Sequence, residues 1–152
     1  VVAIFGVPME FDFRLRNEGR GLVMQLVPGR AEDEAALRAQ VFIAEEAFGF
    51  IEPCINANWP AYKNYGHWGV SEIPVAAWRA IAAGMEGLRS RLNEARGFEE
   101  VAGLIYLFDA IRDAFRADFA RLRGQVVTFI DALLAWLKSH WDACTHITVI
   151  GI

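Results

Sequence analysis

Hydrophobic and polar residues alternate strictly from Glu10 to Arg16. Phe11, Phe13 and Leu15 fall on one face, and Glu10, Asp12, Arg14 and Arg16 on the other. That two-residue period belongs to a half-buried strand. Asn17 to Gly21 supplies a turn, and Leu22 to Val27 reads as the returning strand of an N-terminal hairpin. Val1 to Val7 is apolar throughout and reads as a further strand, or as the first half of a longer one bent at Pro8.

After Pro28-Gly29 the period changes. Leu37, Val41, Ala44 and Phe48 recur at four- and three-residue spacing and predict a helix that Gly49 stops. Phe50 to Ile55 reads as a short strand weakened by Pro53, and His67 to Ser71 as another. A second helix is expected to open at Ile73-Pro74, because proline is tolerated in a first turn. Trp78, Ile81, Met85, Leu88 and Leu92 mark its buried stripe, and Gly97 its end. The stripe resumes through Val101, Ile105, Phe108, Phe115, Phe119, Leu122, Val127, Ile130, Leu137 and Trp141. One unbroken helix from Phe98 to Trp141 would run for about 65 Å, too long for a domain of this size, so a break is expected near Gly124. Trp78, Met85, Phe108, Phe115, Phe119 and Trp141 are the expected core residues of these helices. Thr145 to Ile152 is β-branched and reads as a final strand.

Strands, a helix, a loop, three helical segments and a strand make an α+β arrangement, since βαβ units do not alternate. The expectation is one globular domain over residues 1–152. Its small sheet, from an N-terminal hairpin and a C-terminal strand, packs with about four helical segments.

Composition narrows the classes. At 152 residues, 55% hydrophobic, with 11 Phe and 5 Trp, the chain is rich enough in apolar area to fold. The net charge of −4 disfavours nucleic acid, because no basic stripe offsets phosphate repulsion. From Ala31 to Tyr62, six acids (Glu32, Asp33, Glu34, Glu45, Glu46 and Glu52) face one base, Arg38. That window carries −5 and leaves +1 elsewhere, a polarity that suits a basic partner. Glu32 to Glu34 equally fit the plain role of complementing a helix N-terminus. The longest apolar run, Val126 to Leu137, contains Asp131 and is short of the roughly 20 residues a membrane span needs. With no leader recognised at Val1, the chain is expected to be cytoplasmic and not a membrane protein.

Candidate chemistry is sparse. His140 and Cys144 stand four apart with His146 nearby, but zinc needs four ligands, and only Cys54 or His67 remain to complete the set. Cys54, His67 and a neighbouring Asn (56, 58 or 64) supply the residue types of a thiol hydrolase without its local signature. Asp109, Asp113 and Asp118 interleave with Arg112 and Arg116, as on a solvated helix face. Gly19-Arg20-Gly21 precedes no helix and so is no phosphate loop. No catalytic residue, metal or cofactor is therefore expected, and the chain is not read as an enzyme.

The richest segment is Cys54 to Pro74, where Trp59, Tyr62, Tyr65, His67 and Trp68 fall within ten positions. Aromatics with a polar tip suit a surface that is apolar and hydrogen-bonding at once. A long loop pinned by its own side chains uses them equally well. The run Asn64-Tyr65-Gly66-His67-Trp68-Gly69-Val70, followed by Ile73-Pro74 and Trp78, resembles cytosolic immunity proteins of bacterial polymorphic-toxin systems, of the contact-dependent growth-inhibition type. The resemblance covers about fifteen residues. It implies a protein that binds and occludes a cognate toxin domain, commonly a nuclease and often basic. Glu45, Glu46, Glu52, Trp59, Tyr62, Tyr65, His67 and Trp68 are the expected partner-binding residues. Two other readings stand beside it: a small-molecule-binding or enzymatic domain with loop 59–68 lining a pocket, and a helical oligomerisation module using 98–141.

If Cys54 and Cys144 are unpaired and bind no metal, chelator and reductant together will leave the far-ultraviolet circular dichroism spectrum unchanged. Loss of secondary structure under either treatment would restore the disulfide or metal reading.

Overall fold

The computed structural model describes residues 10–62 and 69–151, and the backbone alone of Ala3–Ile4 and Val7–Pro8, which pair as the short antiparallel strands β1 and β2. The main sheet has four antiparallel strands: β3 (Val23–Val27), β4 (Val41–Ala44), β5 (Val70–Pro74) and β6 (His146–Gly151), in the spatial order β4-β3-β6-β5. Among the described residues there are six α-helices. They are α1 (Glu34–Arg38), α2 (Glu45–Phe48), α3 (Glu52–Asn58), α4 (Val75–Glu94), α5 (Asp109–Ala117) and α6 (Phe119–His140). The fold is α+β, as the order of elements in the sequence implies.

Cross-strand register explains which sheet face is inner. Leu26 stands opposite both Val41 and Val149, Met24 opposite Ile43, and Ile73 opposite Ile147. All are buried and join one core with Trp78, Ile81 and Met85 of α4 and Phe129, Ile130 and Leu133 of α6. The indole N–H of Trp78 donates to the Ile147 carbonyl at 2.9 Å, tying α4 to β6. Three exposed ion pairs, Arg79–Asp142, Arg89–Asp131 and Lys138–Glu86, bridge α4 to α6 and the turn after it. Each contributes about 0–1 kcal/mol, so the two helices are held by their apolar stripes.

The N-terminal hairpin is differently partnered. The strand that returns against β3 is β4, in place of residues 10–16. The alternation of residues 10–16 is nevertheless real. Phe11, Phe13 and Leu15 pack on the core while Arg14 points to solvent. Only Arg16 pairs with another strand, exchanging hydrogen bonds with Phe42 at 2.9 and 2.7 Å. Side chains accept from two more N–H groups of this segment: Asp12 N–H donates to Glu46 at 3.3 Å, and Arg14 N–H to Asp12 at 3.1 Å. Period two here marks an extended chain docked by its side chains, without a ladder.

The helix expected over Leu37 to Phe48 is three elements. Asp33 caps α1 by accepting from the N–H groups of Ala35 and Ala36. The run Val41-Phe42-Ile43 then forms β4, in line with its β-branched and aromatic residues. The single turn α2 follows directly. Residues 50–55 contain no strand, because Pro53 sits in the first turn of α3 and opens a helix there.

The α4 stripe holds, with all five residues from Trp78 to Leu92 buried, but Ile73 and Pro74 are the end of β5 and not the helix start, and α4 stops at Glu94, short of Gly97. Beyond it, residues 98–104 form two 3₁₀ turns, residues 105–108 are extended, and the helical break falls at Asp118, between α5 and α6. Gly124 lies inside α6 on its exposed side, where an added Cβ would meet open space, so it interrupts nothing. Phe108 is 52% exposed and Trp141 half-buried under the Arg79 guanidinium, 4.7 Å from its ring, so neither belongs to the core. The 3–4 spacing through 101, 105 and 108 was carried by residues that are not in a helix.

Phe115 is fully buried and touches the rings of Phe11, Phe50, Phe98 and Phe119. Phe115→Ala is expected to cost about 3–5 kcal/mol in urea unfolding. An unchanged unfolding midpoint would show that this cluster does not hold the domain together.

Candidate functional site

Three of the acids expected at the binding face do converge. The α2 turn leaves the end of β4 with Glu45 and Glu46 in its first turn, where carboxylates complement unsatisfied N–H groups. Four residues on, α3 opens with Glu52. All three border one cleft of about 300 Å³, whose opposite wall is the extended segment Ile105 to Phe108 with the first turns of α5. The wall is held by Ile105, which is buried in the core, by Leu107, which packs against it, and by a backbone bond in which the Tyr106 N–H donates to the Gly49 carbonyl at 2.9 Å. The chains approach so closely that a Cβ on Gly49 would lie 2.2 Å from the Tyr106 carbonyl oxygen. Only glycine fits there. Gly49 ends a helix as expected, since it is the C-cap of α2, and it makes this close approach as well.

Depth separates the expected residues. Glu45 and Glu46 are half-buried at the cleft, and Glu46 accepts the Asp12 N–H. Glu52 is 1% exposed and Tyr62 3%, with the Tyr62 hydroxyl donating to the Glu52 carboxylate at 2.5 Å. Both side chains therefore anchor the end of α3 and the chain after it, and offer little contact surface. Trp59 is half-buried and packs against the core. Tyr65, His67 and Trp68 lie outside the described residues.

Sequence reasoning missed Tyr106 and Phe108. Ile105 is buried, Tyr106 is 45% exposed, Leu107 half-buried and Phe108 52% exposed, an alternation of period two at the rim of the acidic cleft. The signal was present: Gly103 and the β-prone run Ile105-Tyr106-Leu107-Phe108 argue against a helix there. Arg112 also borders the cleft, but its guanidinium sits over the Phe98 ring at 5.3 Å.

The other chemical candidates separate. Cys54 and Cys144 are free thiols. Burial pushes the Cys54 thiol up to about 11, opposite to the direction a thiolate nucleophile needs. Cys144 donates to the His140 carbonyl at 3.4 Å, and His146 Nδ1 bonds the Thr145 hydroxyl at 2.9 Å. Among the described residues no three His, Cys, Asp or Glu side chains are grouped to hold a metal ion. Arg116 pairs with Glu99 at 3.1 Å and lies over Phe98, so the α5 charges form the solvated face expected. No described helix is long and apolar enough to cross a membrane.

No family model, curated protein or solved structure matches this chain.

Gly49→Ala should destabilise the protein by about 1–3 kcal/mol, the usual cost of overpacking, as read from the urea midpoint. Gly87→Ala is the control, since Gly87 lies on an open face of α4. It should be neutral or stabilising by up to about 1 kcal/mol. Equal effects would show that residues 105–108 are not held against α2 as described.

Proposed function

We propose that this chain is a cytoplasmic immunity protein, which binds a cognate bacterial toxin domain and neutralises it by occlusion. The observation that carries the reading is the cleft where Glu45 and Glu46 stand beside exposed aromatic side chains. Carboxylates at a rim steer a basic partner and reject an acidic one. Aromatic residues supply the apolar area that holds it once docked. The toxin domain in this reading is a basic protein, and binding covers its working surface without any chemistry by this chain.

The resemblance of the 64–78 run to immunity proteins supports the same reading from a separate part of the sequence. The acids of the −5 window divide in this account. Asp33 caps α1, Glu52 holds Tyr62, Glu32 and Glu34 lie away from this cleft, and Glu45 and Glu46 border it.

Charge reversal of Glu45 and Glu46 to Lys should slow association with the toxin domain about tenfold or more at low salt, and flatten its dependence on ionic strength. Association rates by surface plasmon resonance, with circular dichroism to confirm folding, test this. Cells expressing the toxin domain should survive with the wild-type chain and less well with the variant. A wild-type chain that neither binds nor protects sinks the proposal.

A further inference from the structure

Tyr106 and Phe108 are large aromatics at roughly half exposure, on adjacent outward positions of an extended segment. Isolated exposed apolar side chains are ordinary, but two at the mouth of a cleft form a patch with a shape. The inner walls are largely apolar, from Ile105, Leu107 and Ile111. The charged groups at the cleft are the half-buried carboxylates of Glu45 and Glu46 and the guanidinium of Arg112, with the Glu52 carboxylate buried behind them against Tyr62.

We propose that this cleft is the docking site for a basic segment of a partner protein. One arginine or lysine of that segment lays its aliphatic stem against Tyr106 and Phe108 and turns its cation toward Glu45 and Glu46. The identity of the partner as a toxin domain rests on the function proposed above; the chemistry of the cleft does not.

Size and charge select this occupant. About 300 Å³ is at the lower limit of small-molecule sites, which suits one or two side chains entering from a protein surface. A long cationic side chain meets both demands of the lining, since its stem covers apolar surface and its head is drawn to carboxylates and to ring faces. Arginine fits best, because its planar guanidinium stacks on aromatics and bonds a carboxylate through two N–H groups. A second copy of this chain would bring another acidic cleft and a further net charge of −4, so self-association is disfavoured. The fixed backbone adds to the case. With residues 105–108 seated on Gly49, the aromatic rim is set before the partner arrives, which lowers the ordering cost of binding.

The probe is the peptide acetyl-Leu-Arg-Leu-amide, titrated into the ¹⁵N-labelled chain and followed by amide chemical shifts. Saturable shifts are expected at residues 45–49 and 105–112, with a dissociation constant on the order of millimolar, as befits so small a ligand. Acetyl-Leu-Glu-Leu-amide should give none. Tyr106→Ala and Phe108→Ala should each weaken the arginine peptide about three- to tenfold, and having both keeps the test informative if one fails to fold. Shifts that do not saturate, that map elsewhere, or that the glutamate peptide reproduces overturn the proposal. So does concentration-dependent dimerisation abolished by Phe108→Ala, which would assign the cleft to a second copy. Binding of the arginine peptide without protection from a toxin domain leaves the cleft standing and removes the toxin. Protection undiminished by folded Tyr106→Ala and Phe108→Ala does the reverse.

Discussion

The ring contacts around Phe115 hold together parts of the chain that share no backbone ladder. Phe115 lies 4.9 Å from Phe50, 5.8 Å from Phe98, 5.5 Å from Phe119 and 6.5 Å from Phe11, centroid to centroid. Phe13 extends the cluster to Phe50 and to Phe129 of α6. Most of these pairs meet edge to face, the arrangement that places positive ring edges on negative ring faces. Through this cluster the extended N-terminal segment, the start of α3, the 3₁₀ turns, α5 and α6 become one body. The cleft lies between two of those pieces, α2 with α3 on one side and residues 105–108 on the other. Its shape therefore depends on the aromatic cluster behind it.

Legibility in the sequence followed the length of the periodic run. The twenty residues of α4 carry five stripe positions, so chance agreement is small and the helix was plain. Leu37, Val41, Ala44 and Phe48 gave four matches over twelve residues, and the β propensity of Val41-Phe42-Ile43 prevailed over them. The same weakness let Val101, Ile105 and Phe108 pass for a helix stripe. Pro53 was read against a strand when its better meaning was a helix start. Pairing was the least legible level. That β3 lies between β4 and β6 depends on contacts more than a hundred residues apart, which no local period encodes.

The acids of the candidate site were visible as a cluster of charge, but charge alone did not sort them. Depth did: Glu52 lies inside with Tyr62, Asp33 serves a helix end, and Glu45 with Glu46 reaches the cleft. The opposite wall was hidden, because Tyr106 and Phe108 are sixty residues away and reach Glu45 only through the fold. Aromatic richness drew attention to residues 59–68, of which Tyr62 proves to be an internal strut. The wall at 105–108 is less conspicuous in the sequence and carries more exposed aromatics than Tyr62.

Seating the 105–108 backbone on a glycine separates two kinds of change. The wall is positioned by the packed side chains of Ile105 and Leu107, by a carbonyl and an N–H group, and by the absence of a side chain at Gly49, none of which depends on the side chain at 106. The Tyr106 side chain is 45% exposed and can be exchanged while the wall stays where it is. What the rim prefers can thus be altered at position 106 with little effect on folding. The position that admits no side chain at all is Gly49, where a Cβ would meet the Tyr106 carbonyl oxygen.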